Sequence, residues 1–138
     1  MGPVGAPRAV YWKNGVRTDL YGADVSEGLG VAVSGTDVYV AGYYASSGLE
    51  VSCWWKNDAA GRVDLYGANF SRASSIATSG SDVYAAGYYI PPAGSATACY
   101  WKNGSAGQVD LSVRANATSV VVSGTDVYVA GYYRNAIN

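Results

Sequence analysis

The sequence contains no histidine, and charged residues make up only 14% of its 138 positions. Without histidine no Ser-His-Asp or Cys-His arrangement can be built, which removes the commonest routes to an activated nucleophile. Two cysteines, Cys53 and Cys99, are too few for a zinc site when no imidazole can join them. Nine basic against ten acidic residues leave a net charge of −1, so nothing favours nucleic acid or an anionic membrane surface as a partner. The lysines Lys13, Lys56 and Lys102 are spread along the chain and form no polybasic patch. No apolar run approaches the ~18–20 residues that span a bilayer, so no membrane insertion is expected. Met1 to Arg8 has no charged stretch followed by an apolar one. It therefore does not read as a signal peptide, but as a short flexible leader or the remnant of something longer. No window carries a sustained 3.6-residue apolar stripe, and essentially no helix is expected.

What the chain does have is 18 glycines, 13 tyrosines and 49% hydrophobic residues, a composition suited to closely packed sheets with short turns. It also repeats. The stretch Ser34 to Tyr44, SGTDVYVAGYY, returns as SGSDVYAAGYY from Ser79 to Tyr89 and again from Ser123 to Tyr133. Asp37 and Asp82 lie 45 positions apart, Asp82 and Asp126 lie 44 apart, and a period of that length signals a repeat architecture.

Each unit holds four short apolar runs. The first is Leu29 to Val33, matched by Ser75 to Thr78 and Val120 to Val122; a Ser-Gly-(Thr/Ser)-Asp turn follows. The second is Asp-Val-Tyr-(Val/Ala)-Ala-Gly-Tyr-Tyr. Its alternation sets Val38, Val40 and Tyr44 on one side and Tyr39, Ala41 and Tyr43 on the other. Two apolar faces mean a strand held between layers. After a variable loop comes the third run, Ala9 to Asn14, Ser52 to Asn57 and Ala98 to Asn103. Asn14-Gly15 and Asn103-Gly104 are read as tight hairpin turns, with Asp58 lengthening the middle one. The fourth run is short: Thr18 to Leu20, Val63 to Leu65 and Val109 to Leu111.

Four antiparallel strands in ~45 residues is the pattern of a β-propeller blade, innermost strand first. A β-sandwich would not need the internal repetition, and a β-solenoid has shorter coils. The expected organisation is a single all-β repeat domain over 1–138. Whole blades fall at 27–66 and 73–112, the outer two strands of a split blade at 8–22, and its inner two strands at 117–134. Three blade-equivalents are too few to close a ring, since propellers run from about four blades upward. The expectation is a homodimer in which each copy's inner half-blade pairs with the other's outer half-blade, giving six blades. A fragment of one longer propeller is the alternative.

The sequence argues against an enzyme. Asp37, Asp82 and Asp126 in the turns, and Asp19, Asp64 and Asp110 before a leucine, are read as turn and inter-strand hydrogen-bonding groups. The non-repeating acids Asp24, Glu27, Glu50 and Asp58 are not singled out as a carboxylate pair. The glycine-rich turns match neither a Walker A loop nor GxGxxG before a helix, so no cofactor is implied. Cys53 and Cys99 share a repeat position with Val10 and read as small buried sites, not as a disulfide.

The candidate ligand-binding residues are those of the repeated (Tyr/Trp)-Trp-Lys-Asn run: Trp12, Lys13 and Asn14; Trp55, Lys56 and Asn57; Trp101, Lys102 and Asn103. Structurally, one aromatic packs between blades and the other lies at a rim against the lysine stem. Functionally, an exposed Trp ring flanked by Lys and Asn is what a sugar site uses, stacking on a pyranose while polar groups meet its hydroxyls. Glycans are then a candidate partner, bound once per blade. The pairs Tyr43-Tyr44, Tyr88-Tyr89 and Tyr132-Tyr133 would line the same clefts. Three Asn-x-Ser/Thr triplets, at Asn69, Asn103 and Asn116, are attributed to chance in a chain this rich in Asn, Ser and Gly.

Through DVYVAGYY and YWKNG as they stand here, nearly the whole chain resembles the divergent β-propeller repeats of bacterial secreted and cell-surface proteins. That resemblance implies an extracellular or cell-surface setting and a binding or scaffolding role, and it brings no catalytic motif.

Overall fold

The computed structural model describes residues 4–21 and 25–136. Short runs of Val, Ala and Tyr bounded by Gly, Asn and Asp turns form strands throughout. In chain order these are β1 (Val10–Lys13), β2 (Val16–Asp19), β3 (Ser26–Ser34), β4 (Asp37–Ser46), β5 (Leu49–Lys56), β6 (Arg62–Tyr66), β7 (Phe70–Ser79), β8 (Asp82–Ile90), β9 (Thr97–Lys102), β10 (Gln108–Val113), β11 (Ala115–Ser123) and β12 (Asp126–Tyr133). The described residues contain no α-helix, only two 3-10 turns, Ala59–Gly61 and Ser105–Gly107. No helix among them is long and apolar enough to cross a membrane.

The strands make four antiparallel sheets: β1-β2, β3-β4-β5-β6, β7-β8-β9-β10 and β11-β12. The two four-stranded sheets share one register. Val40 faces Trp55 and Gly42 faces Cys53 in the first, as Ala85 faces Trp101 and Gly87 faces Cys99 in the second. The first hairpin of each sheet turns through Gly35 and Gly80, both at a φ near +60°, where a Cβ would be strained.

A second feature recurs in β3, β7 and β11. Leu29, Ser74 and Thr118 are each skipped by the ladder, so three equivalent bulges bend three equivalent strands. Opposite them stand Gly42, Gly87 and Gly131. A Cβ on any of these would fall on the carbonyl oxygen of Glu27, Arg72 or Asn116, which is why the run reads Ala-Gly-Tyr-Tyr every time.

The sheets stack face to face through three apolar cores. Leu20 with Ala9, the residues that flank the first sheet, packs on Val40, Tyr44, Val51, Cys53 and Trp55. Tyr39, Ala41, Trp54 and Leu65, on the other side of that same sheet, meet Ile76, Val83, Cys99 and Trp101. Tyr84, Ala86 and Ala98 then meet Ala115, Ala117 and Val120. The alternation of β4 is thus satisfied on both faces. The bulged strands lie against one another: a Cβ on Gly30 would sit 3.0 Å from Ser75 Cα, and Val120 N donates to Ser75 Oγ at 3.2 Å. At the far end of the same strands, Thr78 Oγ1 donates to Val33 O and Ser34 Oγ to Gly80 O. Small residues there allow sheet-to-sheet approach that larger ones would block.

One turn differs from expectation. Asn14-Gly15 is a two-residue hairpin with φ of +50° and +84°, and Lys13 pairs with Val16 across it. Asn103-Gly104 is not tight, because Ser105–Gly107 form a 3-10 turn before β10 resumes at Gln108. Gly107 there packs on the Lys102 carbonyl, as Gly61 packs on that of Lys56. The second and third units therefore share a longer loop, and an Asn-Gly pair alone did not fix its length.

Candidate functional site

The repeated Trp-Lys-Asn run closes β5 and β9, and its three side chains have separate tasks there. Asn57 has a left-handed backbone (φ +68°), which brings its amide back to the preceding hairpin. Its Oδ1 accepts from Val38 N at 2.8 Å, and its Nδ2 donates to Asp37 Oδ1 at 3.0 Å. Asn103 (φ +60°) repeats this on Val83 N and Asp82, at 2.8 and 2.9 Å. Lys56 reaches Asp37 at 3.6 Å and lies over the Tyr39 ring; Lys102 does the same with Asp82 and Tyr84. The Asn57 bond is the main influence holding the Asp37 carboxyl below its ordinary range, with Lys56 adding to it. Lys and Asn thus form a lock joining the end of the third strand of each sheet to its first turn.

Trp55 and Trp101 lie between sheets at 0% exposure, and neither ring presents a face to a ligand. Trp101 Nε1 donates to Gln108 Oε1 at 2.9 Å. Trp55 Nε1 finds no acceptor, because Arg62 stands at the Gln108 position and lies instead over the Tyr44 ring, 4.1 Å from its centre. Cys53 and Cys99 are free thiols beside these rings, and burial pushes both thiols far above their usual range, so neither is a nucleophile.

The tyrosines also have partners. Tyr44 Oη donates to Asp64 Oδ2 at 2.8 Å and Tyr89 Oη to Asp110 Oδ2 at 2.9 Å, tying the second strand to the fourth. Arg62 and Gln108 donate to the remaining oxygen of each aspartate, at 3.0 Å. Burial first, and the Asp64 hydrogen bond next, push Tyr44 up to about 12; burial and the Glu27 bond do the same for Tyr43. Repetition pointed to these aspartates as inter-strand acceptors. It did not point to a polar cluster that breaks the repeat. There Arg72 holds Glu50 through two hydrogen bonds of 2.7 and 2.9 Å and lies 4.1 Å over the Tyr43 ring, while Tyr43 donates to Glu27. No period marks residues that occur once.

The two-stranded sheets carry the same residues with half of each arrangement missing. Trp12, at the position of Trp55 and Trp101, is 65% exposed. Lys13 and Asn14 lie exposed at the open side of β1, and Asp126 lies exposed at the head of β12. Tyr133, equivalent to Tyr44, is 68% exposed, and Leu111 is 46% exposed where Leu20 and Leu65 are 0% and 3%. Of the nine sequence candidates, the Lys-Asn pairs of β5 and β9 are built into the lock and two tryptophans into the cores. Trp12, Lys13 and Asn14 alone are presented together at a surface, beside a groove lined by Tyr11, Val31, Val33 and Val38. Among the described residues no group of Cys, Asp and Glu is placed to hold a metal ion. No family model and no curated protein matches the chain.

Proposed function

We propose that the chain is a non-catalytic β-propeller module that assembles with a second copy and serves as a binding or structural scaffold. Its two four-stranded sheets are whole blades, and β1-β2 and β11-β12 are the outer and inner halves of a split one. One observation carries the reading: Trp12 stands 65% exposed at a repeat position where Trp55 and Trp101 are wholly buried. An exposed indole with fully covered equivalents lacks the cover that they have, and a second copy offers one in its β7-β8-β9-β10 sheet, where Leu111 is 46% exposed beside the β11-β12 half. Two copies give six blades, a size within the range in which propellers close. The scaffold role is supported by the use of Lys, Asn, Asp and Tyr side chains, which are taken up in joining strands and not in surrounding a reacting centre. Sedimentation equilibrium tests the assembly. A species of twice the 14.3 kDa chain mass is expected, and a monomer at high micromolar concentration refutes it.

Glycan binding is the second reading, favoured by the exposed Trp12 ring with Lys13 and Asn14 beside it. The two readings compete for the same ring, since a closed assembly covers it. A glycan array run on the 138-residue protein separates them: sugar binding lost in Trp12→Ala supports the second, and a dimer that binds no sugar supports the first.

A further inference from the structure

We propose that the two half sheets join head to tail in the register already used twice within the chain, β12 of one copy against β1 of the other. This rests on the self-assembly reading above and adds the residues that meet. The described residues contain two finished examples of the junction. In both, the tyrosine of Asp-Val-Tyr faces the lysine of Trp-Lys-Asn, as Tyr39 faces Lys56 and Tyr84 faces Lys102. Two positions further along β4 and β8, Ala41 and Ala86 face Trp54 and Tyr100. Carried to the open edges, Tyr128 faces the partner's Lys13, Val129 the partner's Trp12, Ala130 the partner's Tyr11 and Gly131 the partner's Val10.

Each polar group of the finished junctions has its counterpart waiting. Asn14 already holds the left-handed backbone of Asn57 and Asn103, with φ of +50° against +68° and +60°. Its Oδ1 would accept from Val127 N, and Lys13 would meet the Asp126 carboxylate, a charge match repeated from Lys56–Asp37 and Lys102–Asp82. Arg17 Nε donates to Asp19 Oδ1 at 2.8 Å, the oxygen that Arg62 takes on Asp64, so Asp19 is oriented for a tyrosine hydroxyl. Tyr133 supplies that hydroxyl, as Tyr44 and Tyr89 do elsewhere.

The apolar groups match as well. Leu65 is covered in a core that includes Cys99 and Trp101, and Leu20 in one that includes Cys53 and Trp55. The equivalents of those covers for Leu111 are Val10 and Trp12, which this chain holds at its other end. The groove where they would enter is open, lined by Leu111, Ala117, Val129, Gly131 and Tyr133. The described β1-β2 sheet does not reach the groove of its own chain. That sheet packs on the Trp55 face of one four-stranded sheet, while β11-β12 packs on the Tyr84 face of the other. The occupant is a second copy: β12 of each copy meets β1 of the other, and a two-fold axis relates the two junctions.

Single cysteines at facing positions test this, because a disulfide needs Cα atoms within ~7 Å. Lys13→Cys and Tyr128→Cys are both surface changes, and the native thiols are buried and unreactive. Mixed and oxidised, the two variants are expected to give a cross-linked heterodimer, while neither cross-links alone. The double variant should give a covalent dimer and no larger ladder. A Lys13→Cys/Val129→Cys pair, one residue out of register and pointing to the opposite face, should give little. If sedimentation finds a dimer but Tyr128→Cys cross-links with itself, the edges pair β12 to β12 and the head-to-tail register is overturned, with self-assembly intact. A ladder beyond two copies overturns the closed pair. A monomer overturns both the register and the reading beneath it.

Discussion

Trp12→Ala separates folding from assembly more sharply than any other single change. The residue is 65% exposed in one chain, and in the proposed ring it becomes as buried as Trp55 and Trp101. With about 250 Å² for a tryptophan, roughly 160 Å² is removed from water, worth about 4 kcal/mol at ~25 cal/mol per Å². A two-fold ring contains the contact twice, so the variant forfeits about 8 kcal/mol of association. That is between about five and six decades in dissociation constant. The folded monomer loses little, because the ring it loses was largely in water already. Trp101→Ala is the opposite case: it hollows a core inside one chain and should cost about 3–5 kcal/mol of folding stability. The assay is denaturant unfolding at two protein concentrations a hundredfold apart. For the parent chain the midpoint should rise with concentration, as for any fold stabilised by association. For Trp12→Ala the dependence should vanish and the midpoint should match the dilute parent. Retained concentration dependence, or a dilute-state loss as large as that of Trp101→Ala, refutes the reasoning.

Other expectations concern the single chain. Gly87→Ala forces a Cβ onto the Arg72 carbonyl across the bulge and to 3.0 Å from Ala73 Cα, and should cost about 3 kcal/mol or more by denaturant unfolding. Gly48→Ala, with open space around it and only a positive φ to strain it, should cost about 1 kcal/mol. Asn103→Ala leaves Val83 N and Asp82 without their lock and should lower stability by about 1–2 kcal/mol, whereas Asn14→Ala should cost the monomer only the roughly 1 kcal/mol of an alanine at a φ of +50° and should in addition weaken association. Tyr43 and Tyr44 are raised from 10.0 to about 12 in the folded chain, so the fold favours their protonated forms. Their stabilisation is complete below pH 10 and lost as pH climbs towards 12. Circular dichroism across that window should show alkaline unfolding, and Tyr43→Phe/Tyr44→Phe should flatten the dependence on pH.

The sequence by itself determined the strand content, the period and the split of the chain into two full units and two halves. A period of two along β4 and a turn every few residues are local facts, written in side chains and in glycines that must adopt positive φ. Why Gly42, Gly87 and Gly131 are obligatory came from the structure, where a Cβ on each would fall on a carbonyl oxygen opposite a bulge. The sequence left the length of the Asn103-Gly104 loop open, because a 3-10 turn there depends on Gly107 meeting the Lys102 carbonyl and not on the Asn-Gly pair. Above all, it could not tell a stacking platform from a core residue. Trp12, Trp55 and Trp101 occupy one repeat position and are identical as letters. Only the tertiary structure separates them, because burial belongs to the neighbouring sheets: two of these rings have a sheet on each side, and the third has a sheet on one side only. The Arg72–Glu50–Tyr43 cluster was hidden for the complementary reason. Its members come from three strands of two sheets and recur nowhere, so no spacing in the chain announces that they meet.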